Sequence, residues 1–205
     1  MHPNPVFRQT AQDENIAFAR SQSFGVLCLS DKNAPMIAHV PFLIAPDGAT
    51  AELHLVRSNP IVRALAKGPQ PATIIVNGPH GYVSPDWYGI EDQVPTWNYV
   101  AVHLTGQVEV LPQDALGGIL DRLSHHFEAQ LAPKKIWTSD KMADGVMDRM
   151  MRQIVPVQFT ITDVNGTWKL NQNKADEVRL RAADHMEESP VGVDTATLAE
   201  HMRKP

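Results

Sequence analysis

Cysteine is nearly absent from this 205-residue chain, with Cys28 its single copy. An internal disulfide framework is excluded, and a reducing compartment fits. Cys28 lies in the apolar run from Phe24 to Leu29, where a buried structural thiol is a commoner outcome than a nucleophile. Long apolar runs are missing too, since nothing approaches the ~20 residues that span a bilayer. The opening Met1-His-Pro-Asn-Pro-Val-Phe-Arg lacks the basic-then-apolar pattern of a secretory signal. A soluble, cytoplasmic protein without a membrane partner is expected. Positive charge is also short: 18 Lys and Arg against 23 Asp and Glu leave a net charge of -5. The densest basic stretches, Lys134-Lys135 and Lys174 to Arg181, are interleaved with or flanked by acids and read as solvated faces, Arg179 and Arg181 among them. That counts against autonomous DNA binding, which needs a basic stripe to neutralise phosphates. The chain has no Gly-x-Gly-x-x-Gly, no Walker loop and no Gly-x-Ser-x-Gly elbow, and Ser84 has no triad pattern around it, so hydrolase chemistry is unsupported.

What the chain does have is a succession of short strands. Thr10-Ala-Gln-Asp13 caps a first helix near 10–21. Strands follow at Phe24 to Ser30, Met36 to Ile44 and Ala51 to Val56, separated by Asp31-Lys-Asn-Ala-Pro35 and Pro46-Asp47-Gly48. Pro41 lies inside the second strand and cannot donate a ladder hydrogen bond, so it implies an edge, a bulge or a ligand-facing break. A short helix near 59–68 has proline in its first turn and glycine beyond its end. Strands at Ala72 to Asn77 and Val100 to Leu111 come next, with Gly106 as a kink. Helical spacing of Leu116, Ile119, Leu120, Leu123 and Phe127 predicts a helix over 113–131. Met142, Val146, Met147 and Met150 predict another over 140–154, their stripe serving core or dimer packing. Val157 to Thr162 and Thr167 to Leu170 read as a hairpin about an Asn165-Gly166 turn. The tail beyond Ala175 is polar and helical in two short pieces. Strands in hairpin succession with helices segregated from them make a mainly β, α+β chain: an antiparallel sheet or barrel with accessory helices. One domain over 1–205 is expected, with a helical insertion near 113–154 and a polar tail near 175–205.

Aromatic residues are only 6% of the chain, yet residues 78–106 hold two of four tryptophans, all three tyrosines and two of nine histidines. Rings beside imidazoles, Ser, Thr and Asn suit a pocket for a flat ligand with polar edges. His39 interrupts a strand beside Pro41, either as a satisfied core or edge histidine or as part of a ligand-facing strand. His54 shares its face if the two strands pair. No histidine spacing makes a compact metal motif, and the adjacent His125 and His126 diverge on a helix. Arg57-Ser-Asn-Pro60 joins a strand to a helix start. It is either a helix cap with Arg57 in solvent or a phosphate site made of a guanidinium, a hydroxyl and free N–H groups.

These blocks carry a resemblance. Ser23-Phe-Gly, Ala38-His-Val-Pro-Phe-Leu43, Arg57-Ser-Asn-Pro60, Gly78-Pro-His-Gly-Tyr-Val-Ser-Pro-Asp-Trp-Tyr88, Val94-Pro-Thr-Trp-Asn-Tyr-Val-Ala-Val-His103 and Lys169-Leu-Asn-Gln-Asn-Lys174 resemble, in order, those of the PaiB-type FMN-binding negative transcriptional regulators. The resemblance implies an antiparallel Greek-key split β-barrel, related to pyridoxamine-phosphate oxidases and flavin reductases, that forms a homodimer with FMN between subunits. Arg57, Ser58 and Asn59 would then hold the FMN phosphate. Ala38, His39, Val40 and Pro41 would line the isoalloxazine, partly through backbone groups. Trp97 and Tyr99 would cover the ring, and Lys169, Gln172 and Asn173 would close the site. The implied function is regulation through FMN and a DNA or protein partner. The alternative is an FMN-dependent oxidoreductase on the same barrel, with His39 or His103 as proton donor or Tyr99 as hydrogen-bond donor.

Overall fold

Alternating burial along the chain makes seven strands among the described residues, which in this computed structural model are 2–32 and 34–205. The order is α1 (Gln12–Gln22), β1 (Phe24–Leu29), β2 (Met36–Ile44), β3 (Thr50–Val56), α2 (Pro60–Leu65), β4 (Gln70–Val83), β5 (Thr96–Val110), α3 (Leu116–Ala129), α4 (Val146–Met151), β6 (Ile154–Lys169), α5 (Asp176–Glu187), β7 (Gly192–Val193) and α6 (Thr195–Arg203). The strands form one mostly antiparallel sheet ordered β1-β2-β3-β6-β5-β4-β7, and a further β1–β4 pairing closes it on itself. By packing, the chain divides into a first unit of residues 2–19, Val76–His103 and Val164–Pro205, and a second of Arg20–Ile75 and Leu104–Asp163.

The second unit holds the hairpins. β1 pairs β2 from Phe24↔Pro41 to Leu29↔Met36, and β1 also pairs β4 from Val26↔Ile75 to Leu29↔Ala72. β3 pairs β6 from Thr50↔Thr160 to Val56↔Ile154. The inward residues of this ring include Leu27, Phe42, Leu53, Ile74, Leu104 and Phe159, all fully buried. Each stabilises the fold by about 1.5–3 kcal/mol relative to exposure. β5 continues unbroken through Gly106, where a Cβ would lie 1.8 Å from the Thr160 carbonyl oxygen, so the glycine serves close strand approach. α3 buries Leu116, Ile119 and Leu123, the apolar stripe its spacing predicts. The helix expected over 140–154 is shorter. Ser139–Lys141 is a single 3-10 turn, and Gly145 at φ 71° breaks the path before α4. No residue of α4 is fully buried, so nothing anchors a longer helix.

The first unit packs α5 and α6 on a core of Val83, Tyr88, Val100, Leu170, Val178, Ala182, Ala183, Met186, Leu198, Ala199 and Met202. The charged tail thus forms two helices whose small and apolar residues are buried. Arg179 is not a surface charge: it is 7% exposed and donates to the Met202 carbonyl and to Asp176. Arg181 is exposed as expected, but its guanidinium donates twice to the Tyr88 carbonyl, at 3.0 and 2.7 Å. The expected hairpin at Asn165-Gly166 is absent, because β6 continues unbroken through both residues. Gly166 is needed there for a different reason, since a Cβ would sit 1.9 Å from the Asn15 side-chain oxygen.

Candidate functional site

The twelve residues that the resemblance assigns to a flavin fall into two groups, one in each unit. In the second unit, Ala38 and Val40 point inward and are buried, while His39 and Pro41 point outward. Any contact from Ala38 or Val40 to a ligand on the outer face must therefore come through backbone. The His39 ring stacks on Phe24 of β1 at 6.5 Å, with the planes 19° apart.

Pro41 shapes what lies beside it. The ladder from β2 to β3 covers only Phe42↔Leu53, Leu43↔Glu52 and Ile44↔Ala51, and it stops at the residue that has no N–H to give. Phe42 N donates to the Ser23 carbonyl at 2.9 Å, on the β1 side. Alternation then turns the N–H and C=O of His39 and Ile37 toward the opposite edge, which β3 does not pair. Across that edge stands His54 on the outer face of β3. Its Nδ1 is buried with no hydrogen-bond partner, and burial holds its pKa below the ordinary imidazole value.

Arg57 lies exposed where β3 ends, but it is tethered along one side. Its Nε donates to the Arg152 carbonyl at 2.9 Å, and one Nη donates to Gln113 Oε1 at 2.8 Å and the Ile154 carbonyl at 3.0 Å. Two donors on the other Nη find no acceptor among the described residues. A guanidinium locked along one side and open on the other is preorganised for an oxyanion. Ser58 is exposed beside it. Asn59 has a structural role, since its Oδ1 accepts from Ile61 N at 2.9 Å and caps α2.

In the first unit Trp97 is 47% exposed and sits among His80 and Tyr82, with ring centroids 6.1 and 6.2 Å away. Tyr99 shares its face of β5, and burial raises its phenol pKa. Lys169 Nζ donates to Thr96 Oγ1 and to the Trp97 carbonyl, both at 2.5 Å. Burial, then repulsion from Lys174, lowers the Lys169 pKa. Gln172 closes its own turn, accepting from Leu170 N at 2.8 Å and donating to the Trp168 carbonyl at 2.6 Å, so its amide is committed. Lys169 and Asn173 line a cleft of about 240 Å³ together with Lys174, Asn171 and Tyr88, residues that sequence reasoning left out of the site. That volume is below the roughly 300–1,000 Å³ of pockets for drug-sized ligands, so the cleft alone does not hold a flavin.

A larger cleft of about 810 Å³ lies in the second unit, between α3 and residues 136–140. It contains none of the predicted residues. Two of its polar side chains are already engaged: Arg122 grips Glu52 through two 2.8 Å bonds, and His126 Nε2 lies 3.0 Å from the buried Ser23 hydroxyl. Among the described residues no three His, Cys, Asp or Glu side chains are grouped to hold a metal ion. No described helix is long and apolar enough to cross a membrane.

Residues 1–163 match the family described as "Putative FMN-binding domain". Over 208 aligned residues the chain is 28% identical to the protease synthase and sporulation protein PAI 2 of Bacillus subtilis, covering 100% of this chain and 99% of that protein. The chain belongs to the PaiB-type FMN-binding family. FMN is the cofactor for which this family is named, and the second unit offers groups of a kind that fit it: the held Arg57 guanidinium, the strand edge that β3 leaves unpaired at Ile37 and His39, and the orphaned His54 Nδ1. Among solved structures, the FAD and heme binding protein of Mycobacterium smegmatis is similar with a TM-score of 0.58 at 20% identity, over 84% of this chain and 78% of that one. The flavocytochrome Anf3 of Azotobacter vinelandii gives 0.53 at 12% identity, over 82% and 72%. These likenesses show the fold, an antiparallel split barrel with accessory helices.

Proposed function

We propose that this PaiB-type protein is an FMN-binding negative regulator of transcription that works as a homodimer, with the flavin held at the interface between copies. The observation that carries the reading is the bare outer face of the second unit. Phe24, Ile37 and Val56 are 54%, 55% and 56% exposed there, around the exposed His39 and next to the open edge of β2. Apolar side chains clustered beside unpaired backbone and a fixed guanidinium suit a flat ring with polar edges and a phosphate tail, covered by a second copy. Arg57 and Ser58 would take the phosphate. The open backbone groups of Ile37 and His39 would meet the polar edge of the ring, while Phe24 and Pro41 keep water from it. The flavin, when bound, supplies redox sensing or a ligand-dependent dimer surface. A net charge of -5 favours regulation through a protein partner over direct grip on DNA phosphates.

The test is an absorbance spectrum of the purified protein, followed by FMN titration read by flavin fluorescence and sedimentation. Saturable binding to a dimer supports the reading. A monomer that ignores FMN rejects it. Rapid reduction of the bound flavin by a nicotinamide cofactor, with multiple turnovers on an acceptor, would replace regulator by oxidoreductase.

A further inference from the structure

We propose that the first-unit cleft between Lys169 and Lys174 binds a small oxyanion, the carboxylate or phosphate group of a compact molecule, as a site separate from the flavin. The inference goes beyond the flavin reading and uses none of the second-unit residues on which that reading rests.

Two ammonium groups share this cleft and neither meets a carboxylate. The acceptors of Lys169 are neutral, the Thr96 hydroxyl and the Trp97 carbonyl. Lys174 donates to the neutral Gln93 Oε1 at 2.5 Å and lies 4.2 Å from the centre of the Tyr88 ring. Each ammonium carries three N–H groups. One on Lys169 and two on Lys174 therefore remain to be satisfied. The mutual repulsion that helps lower the Lys169 pKa is what two nearby cations show when no anion lies between them. Asp92 brings the one carboxylate to the lining, and it makes no ion pair with either lysine.

A buried amide points to the same conclusion. Asn171 is 2% exposed and holds the left-handed conformation, φ 64°. Its Oδ1 accepts from the Tyr88 hydroxyl at 3.4 Å, its Nδ2 is buried without an acceptor, and the residue belongs to the lining of the same cleft. A buried donor left unpaired is unfavourable, and in a cleft lined by two ammonium groups an oxygen carrying negative charge would suit all three. The apolar wall is Phe7 and Val94. About 240 Å³ is roughly eight waters at ~30 Å³ each, room for an acid of a few heavy atoms.

The experiment measures melting temperature and calorimetric affinity for sodium phosphate and for sodium succinate, each against sodium chloride at equal ionic strength. The wild type, Lys174→Met and Asn171→Asp are compared. Saturable stabilisation by one of the two anions is expected, and which one responds separates a phosphate from a carboxylate site. Lys174→Met should weaken that anion by on the order of tenfold to a hundredfold, the range for a charge-assisted hydrogen bond. Asn171→Asp places a carboxylate in the lining that holds both lysines. It should melt higher than the wild type in anion-free buffer and lose the anion response, an outcome that a misfolded variant cannot imitate. No response to either anion in the wild type overturns the proposal, as does an undiminished response in Asn171→Asp. FMN titrations of the same variants separate the two readings. If Lys174→Met loosens FMN and leaves phosphate and succinate unchanged, the cleft belongs to the flavin and the proposal is wrong.

Discussion

Gly166→Ala should destabilise the first helix from β6, a strand far along the chain. A methyl group at Gly166 would lie 1.9 Å from Asn15 Oδ1, 2.6 Å from its Cγ and 2.8 Å from its Nδ2, too close for any of the three atoms to stay. Asn15 is buried and held on both sides: Nδ2 donates to the Thr10 and Ala11 carbonyls at 3.0 Å each, and Oδ1 accepts from the Trp168 indole at 2.9 Å. Expelling the side chain breaks all three bonds, each worth about 0.5–1.5 kcal/mol net, or roughly 3 kcal/mol together. Alanine recovers about 0.5–1 kcal/mol over glycine in a strand, so the net cost is about 2–2.5 kcal/mol. At ~2–4 °C per kcal/mol for a chain of this size, the melting temperature should fall by about 4–10 °C. Urea denaturation followed by far-ultraviolet circular dichroism would measure it. The decisive comparison is the Asn15→Ala background, where the obstacle and its bonds are already gone. There Gly166→Ala should be neutral or stabilising, a coupling of roughly 3 kcal/mol. Equal costs of Gly166→Ala in the two backgrounds would refute the reasoning.

Three further outcomes are expected. Arg57→Ala should weaken FMN on the order of tenfold to a hundredfold if its open Nη meets the phosphate, and an unchanged dissociation constant in a fluorescence titration removes it from the site. Phe24→Asp with Ile37→Asp should leave a monomer in sedimentation at micromolar concentration, whereas a wild type already monomeric there rejects the shared interface. Burial holds His54, His103 and His201 below the ordinary imidazole value, so acid should destabilise the fold. As pH drops below roughly 6.5 the unfolded chain takes up protons before the folded one. Stability is therefore full above that value and declines toward the lower folded values, by up to about 1.4 kcal/mol per pH unit for each histidine. Urea midpoints that stay flat between pH 7.5 and 5.5 would contradict this.

Much of the barrel was legible because a half-buried strand alternates and its turns carry Pro, Gly and Asp. β1, β2 and β3 fall where that alternation places them, and Pro41 foretold an interrupted ladder because its missing N–H is a local fact. Gly166 was misread for the opposite reason. Asn-Gly has the same local chemistry whether glycine serves a turn or a close approach, and the atom that requires it belongs to Asn15, which no local window contains. The tail was legible as two helical pieces but its burial was not: Ala182 and Ala183 look neutral among charges until Met186 and Leu198 close over the Gly81 backbone. At the candidate site, residue types suggested Arg57, and the family resemblance added Lys169. Their environments came only from folding, which brings Gln113 and Arg152 to the first and Lys174 and Trp97 to the second. Asn171 was invisible as a site residue, since its unpaired amide exists only once Tyr88 has taken the oxygen.

The core shared by Val83, Tyr88, Val100 and the two terminal-side helices also sets a timetable for biogenesis. Eight of its eleven residues, Leu170 to Met202, lie beyond the stretch 1–163 that matches the family. A ribosome adding ~5–20 residues per second needs roughly 5–20 s to proceed from Val100 to Met202. Throughout that interval Val83, Tyr88 and Val100 are without most of their packing partners, and the strands carrying them are open to wrong pairings. Nascent chains should therefore be most demanding of chaperones in the middle of synthesis, and a fragment trimmed to the family boundary would be held permanently at that stage.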